Sequence, residues 1–273
     1  MGADCPNLKD DVLLVQGLLN QTDPAPVPPL TVDGHAGAKT FAALTLFIER
    51  GMTSCPVAGV RLEPGSPHWQ RLLKPSELPR AAGGTKLTEE DFTTAAKTLD
   101  CEVASIKAVN DVESGRLGGY FASGRPVILF EAHVFSKFTG HKYDHVLPDI
   151  SSRKWNKNLY KGDEAEYNRL EKAMAFDRAG ALKSASWGRF QIMGFNYASA
   201  GYASVEDFVA AMHQSEARQL EAFLAFLRAS HLDDELRDKK WAQFAAGYNG
   251  KSYAENQYDV KLKKAYERYA TTP

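Results

Sequence analysis

Apolar residues recur every three to four positions over much of this chain, and each such stretch predicts a helix with one buried face. Val12, Val15, Leu18 and Leu19 form one stripe, and Phe41, Leu44 and Phe47 form another within Thr40–Glu49. Between them, Asn20–Pro29 is rich in proline and polar residues and reads as a loop. The short apolar piece that follows ends in an Asp33-Gly34 turn. From Pro56 to Gly84 the pattern lapses. Five prolines and a closing Ala81-Ala82-Gly83-Gly84 predict a linker, with one ordered patch around Trp69–Leu73. Periodicity resumes at Leu87-Thr88-Glu89-Glu90-Asp91-Phe92, where Thr88 suits a helix cap, Asp91 its reciprocal partner, and Leu87 with Phe92 the flanking apolar contact. Further helices are predicted over 102–113, 164–179, 204–229 and 234–248, with Ser204 and Asp207 as a second capping pair. Only Val127–Phe130 reads as a strand. The expectation is a mainly α (α+β) chain with a small helical domain over 1–55, a linker over 56–84, and a mostly helical domain with a small β-sheet over 85–273.

Length and composition agree with that division. At 273 residues the chain suits about two domains. Its 44% hydrophobic and 25% charged residues are ordinary for a globular protein, so no metal or disulfide is needed to hold a core. Thirty-three basic residues stand against 34 acidic ones, which argues against a nucleic-acid binder. Of the cysteines, Cys5 and Cys55 bracket the first module and suit a pair, while three free thiols with Cys101 is the other reading. The first residues lack a basic segment followed by an apolar one, so no signal peptide is expected. No stretch approaches the roughly 18 apolar residues that span a bilayer, so no membrane insertion is expected.

Two carboxylates stand out. Val103, Ile106 and Val109 are the apolar stripe of one predicted helix, and Glu113, four residues past Val109, projects from that stripe just before Ser114-Gly115 ends the helix. Burial and the negative end of the helix dipole both disfavour its ionised form. A carboxyl that keeps its proton near neutral pH can act as a general acid. A terminal Glu bending out to solvent is the alternative. Strand alternation puts Glu131 on the face of Val127 and Leu129, where it could form the paired carboxylates that glycoside hydrolysis uses. A structural Glu paired with Arg125 or a nearby His is the alternative there.

Three motifs occur in the order found in one family. Glu113-Ser114-Gly115 resembles the Glu-Ser motif of lysozyme-like muramidases and lytic transglycosylases. Ser186-Trp187-Gly188-Arg189-Phe190-Gln191-Ile192-Met193 resembles their Ser-x-Gly-x-x-Gln-Ile, and Ala245-Ala246-Gly247-Tyr248-Asn249-Gly250 their Ala-Tyr-Asn-x-Gly. Arg125–Phe135 and Ser184–Gly194 are most similar to the N-acetylmuramidase domain of phage endolysins that attack Gram-negative walls. The resemblance implies a lysozyme-like fold from about Leu87 onward, with Glu113 and Glu131 as catalytic carboxylates. Ser186, Gln191, Tyr248 and Asn249 would then contact substrate. Gly188 would let backbone approach a sugar, and Gln191 and Asn249 offer donors and acceptors for its N-acetyl and hydroxyl groups. Helical spacing of Trp241, Phe244, Ala245 and Tyr248 also fits plain core packing, and Ser186 with Gln191 also fits loop capping. Classical transglycosylases usually carry Gly-Leu-Met-Gln where this chain has Gly188-Arg189-Phe190-Gln191, and a residue between the Asn and Gly that here adjoin. Both departures lean toward a hydrolase.

The N-terminal stretch resembles the three-helix peptidoglycan-binding module. It has Gln16 in the first helix, then the full Asp-Gly-x-x-Gly-x-x-Thr pattern as Asp33, Gly34, Gly37 and Thr40. Phe47-Ile48 stands where Phe-Gln is more usual. A small stabilising helical domain is the alternative. The expected partner is bacterial peptidoglycan, engaged by a monomer with no cofactor. The endolysin likeness implies synthesis in the host cytoplasm and release to the wall through a separate pore-forming protein. His133, His141 and His145 near Glu131 hint at zinc, but no His-Glu-x-x-His set is present, so no metal is expected. A lytic transglycosylase using Glu113 alone and a non-catalytic wall-binding phage protein remain the competing functions.

Overall fold

The computed structural model describes residues 1–2, 6–50, 61–63, 66–73, 78–79, 84–113 and 118–271, without the side chains of Lys251 and Ser252. Cys5, Cys55, Ser114 and Gly115 lie outside the described residues, and Cys101 is a free thiol. The α-helices begin with α1 (Lys9–Leu19), α2 (Ala38–Glu49), α3 (Pro67–Leu73), α4 (Glu89–Leu99), α5 (Val103–Glu113), α6 (Ala132–Phe138), α7 (Glu166–Met174) and α8 (Arg178–Lys183). They continue with α9 (Val205–Met212), α10 (Glu216–Ala229), α11 (Asp233–Arg237), α12 (Trp241–Asn249) and α13 (Tyr258–Ala270). Strands β1 (Ile128–Phe130), β2 (Ala185–Trp187) and β3 (Ile192–Met193) form one antiparallel sheet in that order. The fold is therefore mostly helical with a small sheet, as the sequence pattern predicts. No described helix is long and apolar enough to cross a membrane.

Contacts divide the chain into two units, each assembled from separated stretches. Met1–Leu78, Glu131–Leu159 and Tyr167–Ala181 make the first; Pro79–Phe130, Tyr160–Glu166 and Leu182–Pro273 make the second. In the first unit the predicted stripe of α1 is fully buried: Val12, Val15, Leu18 and Leu19 are at most 1% exposed. Each such side chain contributes about 1.5–3 kcal/mol of apolar burial. The stripe packs on α2 through Leu44, and α3 covers it with Leu72, in the patch expected around Trp69–Leu73. Gly17 of α1 lies so close to the Tyr167–Ala181 stretch that a Cβ there would meet the Ala175 carbonyl oxygen at 2.6 Å. Gln21 donates to the Met174 carbonyl at 2.9 Å.

In the second unit, α4 packs on α5 and α10, and α5 and α12 both pack on α13. The Thr88 capping box forms: the Asp91 amide donates to Thr88 Oγ1 at 3.3 Å, and the Thr88 amide to Asp91 Oδ2 at 2.7 Å. Ser204 caps α9 with its side chain, accepting from the Asp207 amide at 3.1 Å and donating to Asp207 Oδ2 at 2.7 Å. The helix expected over 204–229 is two helices, because Ser215 accepts from the Arg218 amide at 3.1 Å and starts α10 afresh. Likewise 234–248 divides into α11 and α12, with Lys239 between them at φ 58°. The helix expected over 164–179 is α7 followed by α8, and helices α6 and α13 with strands β2 and β3 extend the predicted set. Strand β2 pairs with β1 (Leu129 opposite Ser186) and with β3 (Ser186 opposite Met193), so the Ser186–Met193 motif is a hairpin joined by the Gly188–Gln191 turn.

Candidate active site

Helix α5 buries Ile106 and Val109 against the core and carries Asn110 on the same side, one turn before Glu113 at its last position. Glu113 is half-buried there. Its Oε1 accepts from Asn249 Nδ2 at 3.1 Å, where Asn249 is the last residue of α12. Burial raises the Glu113 pKa above the ordinary carboxylate value, and this outweighs the opposing pull of the Asn249 bond and the Lys261 charge. The neighbouring Tyr248 hydroxyl is held well above its usual pKa, first by burial and then by the Glu113 charge; Tyr258 of α13 is raised by the same two causes.

Tyr248 ties α12 to the hairpin. Its hydroxyl donates to the Phe190 carbonyl at 2.7 Å, while its ring stacks on Phe244 and meets Phe223 edge-on at 5.4 Å. Phe190 in turn stacks on Phe223 at 4.3 Å. The turn is shaped by two left-handed residues, Gly188 at φ 69° and Gln191 at φ 48°. Gln191 donates one amide proton within the turn, to Gly188 O at 2.8 Å, and one to Val127 O just before β1 at 3.2 Å, while its Oε1 accepts from Ser186 Oγ at 2.7 Å. Gln191 and Ser186 thus hold the turn; of the amide's hydrogen-bonding capacity, an oxygen lone pair is left over.

Arg189, a variable position of the motif, sends its side chain away from the turn to two helices. Its Nε donates to Asn110 Oδ1 on α5, and its Nη1 meets Glu216 Oε1 of α10 at 2.8 Å. Glu216 is 4% exposed and also accepts from the amides of Gly119 at 2.9 Å and Leu87 at 3.1 Å. The Arg189 amide donates to Gln219 Oε1 at 2.7 Å. Glu216 and Gln219 extend the apolar stripe of Leu220, Phe223 and Leu227. A polar residue on an apolar stripe is the signal that singles out Glu113, and applied to α10 it finds these two as well. The three motifs are therefore closed into a ring. Glu113 joins Asn249, the adjacent Tyr248 joins Phe190, the adjacent Arg189 joins Asn110, and Asn110 returns along α5 to Glu113.

The sequence profile of the N-acetylmuramidase family matches residues 102–270, which contain the whole ring. The chain belongs to the N-acetylmuramidase family. A structure similar to this muramidase is the crystal structure of the Burkholderia AP3 phage endolysin, 40% identical over 95% of this chain and 94% of that chain, with a TM-score of 0.63. A comparison with curated proteins returns no match. The muramidase is accordingly a peptidoglycan hydrolase of the endolysin type.

Glu131 lies in the first unit of the muramidase, as the cap residue of α6, with Oε2 at 3.2 Å from His133 Nδ1. His141 Nδ1 is 2.8 Å from Ser136 Oγ. No cluster of three or more metal-ligating side chains occurs among the described residues. The same unit holds the Asp33-Gly34-x-x-Gly37-x-x-Thr40 motif, organised around Gln16, which is 2% exposed. Gln16 Nε2 donates to Asp33 Oδ1 at 2.9 Å, His35 O at 3.1 Å and Thr40 Oγ1 at 3.1 Å. Its Oε1 accepts from the amides of Asp33 at 3.1 Å and Gly34 at 2.9 Å. The Gln16 bond, with help from the His35 amide, holds the Asp33 carboxyl below its usual pKa. Gly34 sits at φ 76° against Lys9, and Gly37 caps α2 in extended conformation. The motif borders a groove of about 770 Å³ between the proline-rich loop and α2, lined among others by Pro26, Leu30, Thr40, Leu46 and Phe47.

Proposed function

We propose that this chain hydrolyses the β-1,4 bond between N-acetylmuramic acid and N-acetylglucosamine, with Glu113 as the general acid. The observation that carries this reading is the half-buried Glu113 carboxyl at the end of α5, its pKa raised by burial and its Oε1 accepting from Asn249. In the reaction the protonated carboxyl gives its proton to the glycosidic oxygen as the C1–O bond breaks. Water adds to C1, and its proton restores the acid. Asn249, bonded to Glu113, and the adjacent Tyr248, whose hydroxyl also serves Phe190, are the proposed sugar contacts. The groove bordered by Asp33, Gly37 and Thr40 is the proposed wall-binding surface, with Asp33, Gly34 and Thr40 shaping it through Gln16. The site of action is the bacterial wall, reached through a separate pore-forming protein.

The test is Glu113→Gln, assayed by clearing of outer-membrane-permeabilised cells and by mass spectrometry of purified wall digests. General acid catalysis is worth about 10²–10⁴-fold, so the variant should fold and lose at least that factor in rate. Retained lysis overturns the assignment. Wild-type products bearing reducing ends support hydrolysis, whereas anhydro ends identify a lytic transglycosylase. Binding to wall without release of soluble fragments identifies a non-catalytic binder. Glu131→Gln in the same assay tests the expected second carboxylate.

A further inference from the structure

We infer that Arg189 is a positioning residue for Glu113, acting through Asn110 to fix the end of α5 against the hairpin and α12. The inference rests on Glu113 being the acid. Arg189 ties three elements together through polar bonds of its side chain: its own turn, α5 through Asn110 and α10 through Glu216. A planar guanidinium can hold two partners at fixed angles, which a lysine or an apolar residue cannot. The pair is placed to persist, because Glu216 is buried and also held by two backbone amides. Asn110 lies three residues from Glu113, about 4.5 Å along the helix axis. Shifting Asn110 therefore moves the carboxyl relative to Asn249 and admits water to it.

The groups beside Glu113 come from α12 and α13. Helix α12 supplies Asn249 and Tyr248; α13 supplies Lys261 and Tyr258. On α4, Glu89 is engaged by Lys107 of α5 at 2.6 Å, six residues before Glu113. None of these is altered by changing Arg189 or Asn110. Opening the ring weakens burial, the cause that raises the Glu113 pKa, so the carboxyl should ionise at lower pH than in wild type.

The experiment measures kcat and KM against pH on soluble wall fragments for Arg189→Met, Arg189→Lys and Asn110→Ala in the full chain, with Glu113→Gln alongside. Arg189→Met and Asn110→Ala should each lower kcat about ten- to hundredfold, as a misplacement of about 1 Å does, with KM changed less than about threefold. The alkaline limb of kcat should move to lower pH in both, with Arg189→Lys between wild type and Arg189→Met. If Arg189→Met fails to fold, Asn110→Ala decides, because it cuts the ring and leaves the Arg189–Glu216 pair intact. A wild-type pH profile in Asn110→Ala overturns the inference and leaves Glu113 as the acid if Glu113→Gln is dead. An active Glu113→Gln removes the functional reading itself.

Discussion

Replacing Gln16 by leucine keeps the size of a buried side chain and deletes its hydrogen bonds. Gln16 Oε1 is the acceptor for the amides of Asp33 and Gly34. Both lie at the edge of the buried region, so water can partly replace the lost partner. The low end of the usual penalty applies, about 1 kcal/mol for each orphaned amide, and the two Nε2 protons, shared among three acceptors, add about 1 kcal/mol net. The local loss is then about 3 kcal/mol, or about a hundredfold in the opening equilibrium of the loop. Hydrogen exchange of the Asp33 and Gly34 amides in the full chain reads that opening directly, since a local opening exposes those amides without global unfolding. Exchange should accelerate about a hundredfold in Gln16→Leu while amides in α5 stay unchanged, and capture of the protein by purified wall should weaken. Acceleration below about threefold would refute the claim that Gln16 organises the motif. Gln16→Glu sets a second carboxylate 2.9 Å from Asp33 Oδ1 in the same frame, so its loop should be steadier in acid than at neutral pH.

Gly188→Ala forces a side chain onto φ 69° and places its Cβ 2.6 Å from Gln219 Cδ, so stability in urea should fall by at least about 2 kcal/mol; a loss below about 0.5 kcal/mol contradicts the close packing. Tyr248→Phe removes the donor to Phe190 and keeps the ring, lowering stability by about 1 kcal/mol in the same titration; an unchanged midpoint shows the bond to be dispensable. Because the folded state raises the Glu113 pKa above 4.5, wild type loses stability as pH climbs through the interval between the ordinary and the raised value. Glu113→Gln lacks that loss. Its melting temperature should exceed wild type above the interval and match it in acid, and a variant that melts lower at pH 8 would count against the raised pKa.

What could be read from the sequence follows the range of the interactions involved. The Thr88 box and the Ser204 cap are local, with both partners inside one turn, and both form as predicted. Glu113 was found because four-residue spacing on one stripe is a local property too. The break between α9 and α10 is legible in part, since His213-Gln214-Ser215-Glu216 interrupts the apolar rhythm and Ser215 is a capping type, but Phe208, Met212 and Leu220 resume a helical stripe on either side. Helix α13 gives a weak signal, with Leu262 and Ala265 its buried positions amid Lys, Glu and Arg. Strands β2 and β3, three and two residues long, are too short for alternation to register. The ring was illegible as a ring: Arg189 is 79 residues from Asn110, and Asn249 is 136 from Glu113. Such pairings exist only once the helices have packed. The Asp33-Gly34-x-x-Gly37-x-x-Thr40 motif was visible, but its tie to a buried Gln16 seventeen residues from Asp33 was not.

The braided course of the first unit bears on how such a protein can be recombined. Severing the chain after Leu78 would bare the surface on which Gly17 meets Ala175 and Phe176, and would release the Met174 carbonyl from Gln21. A chimaera that trades only the amino-terminal helices must match a foreign face against 131–159 and 167–181. Exchange between lytic proteins is therefore expected to succeed when all three stretches travel together, and to yield sticky, poorly expressed hybrids when they do not.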